Sequence, residues 1–178
     1  MELILIRHTT PAIEKGICYG QSDLNVADSF EAELELILKE VGQHRKVYSS
    51  PLKRCRILAE RLGTDVIYDD RILEMDFGDW ELKPWNDIPL EDIQPWFDDY
   101  VNVPAKNGES LFDLKQRVEL FLEEILFNSN VETAVIVTHA GVIRVLNGLA
   151  NRISMKSIFN LKLNYGEVLR VNIHKITS

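Results

Sequence analysis

Cysteine is nearly absent from this 178-residue chain, which has only Cys18 and Cys55. Two thiols make neither a disulfide framework nor a metal site. Cys55 and Arg61 have Cys-x5-Arg spacing, but they fall within the helical pattern Leu52–Leu62 and not in a loop, so a cysteine-dependent phosphatase is not expected. No apolar stretch approaches the roughly 20 residues that span a bilayer. Glu2, not a basic region, precedes the first apolar run, so no secretory leader is expected and a cytoplasmic setting with reduced thiols is the default. Positive charge is also short. Twenty Lys and Arg against 28 Asp and Glu leave a formal net charge of −8, so nucleic acid is not an expected partner. A small anion held by a few converging cations remains open. A Walker loop, a GxSxG elbow and a GxGxxG fingerprint are all missing, and no cofactor is expected.

What is present suits an ordinary globular protein: 46% hydrophobic and 27% charged residues, in a length that fits one domain over 1–178. Leu3–Ile6 and Ala134–Val137 are continuous apolar runs, the pattern of strands buried on both faces. Lys46–Ser50 and Asp65–Tyr68 read as further strands, and the alternating Glu167–Ile173 as a half-buried or edge strand. Helical patterns lie between them, over Phe30–Val41, Leu52–Leu62 (ended by Gly63) and Val142–Ala150. From Ser110, residues Leu111, Leu114, Val118, Phe121 and Ile125 step by three and four, and Ser110 with Asp113 supplies a helix start. Alternating strands and helices imply a three-layer α/β/α sandwich with a largely parallel sheet. Residues 78–108 hold all three tryptophans and four of the six prolines, and read as an excursion with short helices over the sheet, either a satellite core or a substrate lid.

Ligands of open α/β sheets bind beyond the carboxyl ends of the strands. Three strands here end in polar groups: Arg7-His8, Ser49-Ser50 followed by Arg54, and His139. Two arginines and two histidines aimed at one pocket repel each other, a cost that an anion relieves, and guanidinium forks match phosphate oxygens. A neutral imidazole can attack phosphorus and form a phosphohistidine, with the cations and the second histidine stabilising the equatorial oxygens. The leaving alkoxide needs a proton donor, and the stretch LEMDFGDWE offers Glu74, Asp76 and Glu81. A metal site on His8 and His139 has no third ligand at metal spacing, so no metal is expected. His44 and His174 read as structural or solvated.

Arg7-His8-Thr9 after the first strand, SSPLKRC with Arg54, LEMDFGDWE and VTHAGVIR come in that order over Leu3 to about Arg144. Together they resemble the histidine phosphatase superfamily, with its phosphoglycerate-mutase-like fold. The resemblance implies His8 as nucleophile, Arg7, Arg54 and His139 as the phosphate pocket, and Glu74 as the proton donor and later the base for water. The chain departs from the common Arg-His-Gly pattern with Thr9, and Glu14 stands where many members have Asn. The Thr9 hydroxyl can donate to phosphate, and Thr10, Gln21 or backbone N–H groups around Gly20 are the candidates to replace the missing Asn contact.

Cys18-Tyr-Gly-Gln-Ser-Asp23 resembles a loop of α-ribazole phosphatases, which implies removal of the 5′-phosphate from α-ribazole 5′-phosphate or the completed cobalamin phosphate. Tyr19, Trp80, Trp85 and Trp96 are the candidates to stack on a flat base. The partner is then a small phosphate monoester. A phosphoglycerate mutase or broad-specificity sugar phosphatase is the alternative enzyme, and a non-catalytic phospho-ligand sensor the alternative of another class.

Overall fold

The computed structural model describes residues 1–128 and 132–173. Four strands, β1 (Glu2–Arg7), β2 (His44–Ser49), β3 (Gly63–Tyr68) and β4 (Thr133–Thr138), run parallel. A fifth, β5 (Val168–Asn172), lies antiparallel to β1, so the sheet order is β3-β2-β4-β1-β5. The apolar runs β1 and β4 lie inside the sheet together with β2, and the alternating segment is an edge, as its pattern predicts.

Five α-helices accompany the sheet: α1 (Phe30–Val41), α2 (Lys53–Leu62), α3 (Leu90–Asp98), α4 (Leu111–Asn128) and α5 (Ala140–Asn151). Successive side chains of a strand point to opposite faces. Leu3 and Leu5 therefore pack with Ile136 against α4 and α5, while Ile4 and Ile6 pack with Val135 and Val137 against α1 and α2. Both faces are covered, and each fully buried Leu or Ile contributes about 1.5–3 kcal/mol. The result is the α/β/α sandwich.

Local chemistry sets the helix ends. Ser110 and Asp113 cap α4 reciprocally, since the Asp113 N–H donates to Ser110 Oγ at 3.2 Å and the Ser110 N–H to Asp113 Oδ2 at 2.9 Å. The apolar stripe from Leu111 to Ile125 is buried along its length. Gly63 differs from expectation: it is the first residue of β3 and no separate turn follows α2. A β-carbon there would press on the Val47 side chain of β2, so the abrupt passage from helix to strand needs glycine. α5 likewise extends beyond the expected Val142–Ala150, because it begins directly after His139.

The segment 78–108 contains short 3₁₀ turns at Gly78–Trp80 and Trp85–Asp87, followed by α3. Its Trp80, Ile88, Ile93 and Ala105 form a separate cluster with Cys18, and Phe77, Trp85 and Trp96 pack against it. Among the described residues no helix is long and apolar enough to cross a membrane. His44 donates from Nε2 to the Val41 carbonyl at 2.9 Å, a structural contact, and His174 lies outside the described residues.

The register positions the site. Arg7 pairs with Thr138 across β1 and β4, and Ser49 with Val137 across β2 and β4. Three strands thus end level, and the residues that follow them, His8, His139 and Ser50, emerge at one edge.

Candidate active site

His8 is 2% exposed, and its Nδ1 lies 2.7 Å from the Thr9 carbonyl oxygen. A carbonyl only accepts, so Nδ1 carries the proton and Nε2 keeps its lone pair. Burial first, then the charges of Arg54 and Arg7, hold the imidazole well below its ordinary pKa, outweighing the opposing hydrogen bond to Thr9. His8 is therefore a neutral base in one tautomer. Its main chain is fixed too: its N–H donates to the Thr138 carbonyl at 3.0 Å, and its carbonyl accepts from Gly166 at 3.1 Å.

The His139 ring is fully buried, with its centroid 5.2 Å from that of His8. Its Nε2 lies 2.8 Å from Ser50 Oγ. Burial, then Arg54, hold this imidazole neutral as well. Cys55 Sγ is 3.5 Å from the same nitrogen. Burial pushes the Cys55 thiol far up, so it packs as a neutral group and is no nucleophile.

Arg54, near the start of α2, is completely buried. It donates from Nη1 to the Ser22 carbonyl at 2.7 Å and from Nη2 to the Gly20 carbonyl, while Nε has no partner among the described residues. Arg7 donates from Nη1 to the Leu163 carbonyl at 2.7 Å, and its Nε is also buried without a partner. Both guanidiniums are anchored by backbone carbonyls and not by carboxylates, which leaves their positive charge uncompensated. Buried donors without partners cost about 1–3 kcal/mol each. Two such donors beside two neutral imidazoles describe a cradle for an anion.

Glu74 approaches from the other face. Its Oε2 accepts from the Gly141 N–H at 3.2 Å, in the first turn of α5, and its Oε1 from the Met75 N–H at 3.0 Å. A β-carbon on Gly141 would overlap Glu74 Oε1, so this glycine makes room for the carboxylate. The Glu74 carbonyl is held by Arg117 Nη2 at 2.9 Å and Gln21 Nε2 at 3.1 Å. Arg117 also donates to the carbonyls of Arg71 and Leu73 and forks onto Glu109, fastening the whole stretch before Glu74.

The other carboxylates of LEMDFGDWE are committed elsewhere. Glu81 accepts from the N–H groups of Gln21 at 2.9 Å, Ser22 at 3.0 Å and Phe77 at 3.2 Å, and from the Ser22 hydroxyl. Burial alone would raise its pKa, yet the Ser22 hydroxyl and the Gly20, Gln21 and Ser22 amides bring it below the usual value. Asp76 accepts from the Gly78 N–H at 2.8 Å. The amides around Gly20, expected as phosphate donors, thus bind Glu81. Thr10 is similarly spent, its N–H donating to Glu33 Oε2 at 2.9 Å. Thr9 is fully buried with an unpartnered hydroxyl, and Gln21 uses its amide on the Glu74 backbone. Of the stacking candidates, Trp80 is 1% exposed inside the satellite cluster, packed edge-on against Trp96.

Sequence reasoning did not anticipate Arg117, Glu109 or Tyr165. Tyr165 places its ring 4.0 Å from Arg7 Cζ and 5.6 Å from the His8 ring. No local motif marks these residues, because each meets its partners only through the tertiary fold.

The chain matches the histidine phosphatase superfamily (branch 1) over residues 3–177. It is 30% identical to phosphoserine phosphatase 1 of Hydrogenobacter thermophilus over 156 residues, covering 82% of this chain and 74% of that protein. It is 28% identical to the adenosylcobalamin/alpha-ribazole phosphatase of Salmonella typhimurium over 187 residues, 93% of this chain and 87% of the relative. The alpha-ribazole phosphatase of Shigella flexneri has the same fold, with a TM-score of 0.86 at 24% identity over 98% of this chain and 92% of that one. The neutral histidine pair, the uncompensated arginines and the match along nearly the whole sequence agree: the chain belongs to the histidine phosphatase superfamily.

Proposed function

We propose that residues 1–178 act as one catalytic domain that hydrolyses phosphate monoesters through a phosphohistidine on His8. One observation carries this reading: His8 is neutral, with Nδ1–H fixed on a carbonyl, between two arginines whose Nε donors lack partners. The Nε2 lone pair forms the N–P bond as the ester P–O bond breaks. Arg7, Arg54 and His139 stabilise charge on the equatorial oxygens, where loss of one such donor typically costs about 10²- to 10³-fold in rate. Thr9 adds its hydroxyl to the pocket. Glu74 is the proton donor to the departing alkoxide. It then takes a proton from water as that water attacks phosphorus, the N–P bond breaks and inorganic phosphate leaves. The Gly141 amide orients the Glu74 carboxyl. Gln21 acts on the backbone of Glu74, which makes it a positioning residue in place of the phosphate ligand that its sequence position suggested.

For the substrate, the reading is α-ribazole 5′-phosphate or adenosylcobalamin 5′-phosphate, supported by the CYGQSD loop and the Salmonella relative. The Hydrogenobacter relative makes phosphoserine the competing ester. Phosphate release is measured from α-ribazole 5′-phosphate, phosphoserine, 3-phosphoglycerate and a sugar phosphate, each with a His8→Ala control. The highest kcat/KM on α-ribazole 5′-phosphate, with a dead variant, is the expected result. Equal slow turnover of all esters removes the substrate assignment. A native protein that binds phosphate and turns over nothing is a sensor, and the chemistry falls with it.

A further inference from the structure

Two tyrosines from distant parts of the chain meet over the phosphate cradle. Tyr19 Oη and Tyr165 Oη lie 2.7 Å apart, 146 residues apart in sequence, and the bridge is exposed. Beneath it the layers are buried. The Tyr19 ring sits 5.4 Å from Arg54 Cζ, and the Tyr165 ring stands against Arg7 and His8. Each ring covers a different guanidinium of the same pocket.

The two rings are anchored separately. Tyr19 follows Cys18, whose N–H and carbonyl bond to Lys83 and Leu82 of the aromatic excursion, at 2.8 Å each. Tyr165 lies in the turn before β5, where Gly166 at φ +68° bonds to the His8 carbonyl and Asn164 is held by Glu167. One hydrogen bond between hydroxyls joins these segments. Water can replace either partner of an exposed hydroxyl–hydroxyl bond, so the bridge is readily broken on binding. In-line displacement places the leaving oxygen on the far side of phosphorus from His8, toward the exposed mouth that these tyrosines occupy.

We propose that Tyr19 and Tyr165 form the leaving-group subsite: their hydroxyl bridge parts as the ester enters, and the two ring faces take a flat, ring-bearing leaving group. This deepens the phosphomonoesterase reading and rests on it. It also explains why a nucleophile as buried as His8 remains reachable. The Tyr165 ring keeps its second task of supporting Arg7, so ring and hydroxyl have separable roles.

The test compares 2-phenylethyl phosphate with propyl phosphate, both primary alkoxide leaving groups, so that the ring is the principal difference. The wild type favours the phenylethyl ester by about tenfold in kcat/KM, the upper end of what an aromatic pair supplies. Tyr19→Leu and Tyr165→Leu reduce that preference to about twofold. Tyr19→Phe and Tyr165→Phe keep the rings, retain the preference and raise kcat/KM for both esters, because no bridge has to open. A wild type without preference, or Leu variants that slow both esters by one common factor, overturns the subsite. Calorimetric binding of 2-phenylethylphosphonate and propylphosphonate reads the same ratio without chemistry. Loss of turnover with the binding preference intact therefore condemns the phosphohistidine reading and not the subsite.

Discussion

The phosphate cradle and the tryptophan cluster of residues 78–108 are both buried, and they treat burial in opposite ways. The cluster gathers Trp80, Ile88 and Ile93 with the flanking rings of Phe77, Trp85 and Trp96, joined mostly by edge-to-face contacts. The cradle buries Arg54 and two histidines, with arginine donors left unpartnered. The first lowers free energy as it stands, because its apolar burial outweighs the Trp80 and Trp96 indole N–H groups that it leaves without partners among the described residues. The second raises free energy, a cost that a bound anion would offset. Neighbouring regions of one fold thus divide stability from reactivity, and substitutions should separate the two.

Trp80→Ala should have the largest effect on stability, about 3–5 kcal/mol by the usual scale for truncating a buried aromatic. Trp80→Phe should cost much less, because the indole N–H has no partner to lose. Denaturant melts of both variants check this. A loss below about 1 kcal/mol for the alanine variant would mean that the cluster collapses around the gap.

Arg54→Ala is the reciprocal case. Its kcat/KM should fall by about 10²- to 10³-fold, and addition of inorganic phosphate should no longer raise its melting temperature as it does for the wild type. Retained phosphate stabilisation would place the anion elsewhere.

The two regions were not equally legible in the sequence. Strand ends at Arg7-His8 and His139 could be read because an apolar run stopping at a charged residue is a local signal. The parallel pairing that levels those ends follows from the same runs. The aromatic excursion could be seen as a unit, but which of its rings face inward could not, since Trp80 differs from Trp85 only through packing. The carboxylate assignment shows the boundary best. Glu74, Asp76 and Glu81 are equivalent in sequence, and only the fold shows Glu81 saturated by amides and Glu74 set against Gly141. Arg117 reaches the Glu74 carbonyl across 43 residues of sequence and Tyr165 meets Arg7 from the other end of the chain, and no periodicity encodes that.

Gly141→Ala sharpens the comparison inside the cradle. The added methyl displaces the Glu74 carboxyl and leaves the phosphate pocket intact. Turnover of an alkyl phosphate should fall about tenfold or more, as expected when a general acid is misplaced. p-Nitrophenyl phosphate, whose leaving group needs no proton, should change little. Equal losses on both esters would show that the glycine serves packing alone.

The smallest effect is on pH. Burial and Arg54 depress both imidazoles in the native state, while an unfolded histidine titrates near pH 6.5. Below that pH the unfolded chain takes up protons that the native protein refuses. Stability is therefore full above about pH 6.5 and declines on acidification, by up to about 1.4 kcal/mol per pH unit for each histidine. Denaturant melts between pH 7 and 5.5 without phosphate should show this slope, and His139→Gln should reduce it. A slope that the substitution leaves unchanged would place the titration on other groups.

If His8 Nε2 accepts the phosphoryl group, the phosphorylated enzyme can be trapped directly. The enzyme is mixed with a radiolabelled phosphate monoester, quenched in denaturant at alkaline pH within the first turnover, and mapped by peptide mass spectrometry. An acid-labile, base-stable phosphoryl group is expected on the His8 peptide, absent from His8→Ala, which should be inactive. Turnover that persists in His8→Ala, with no label on any histidine, would contradict it.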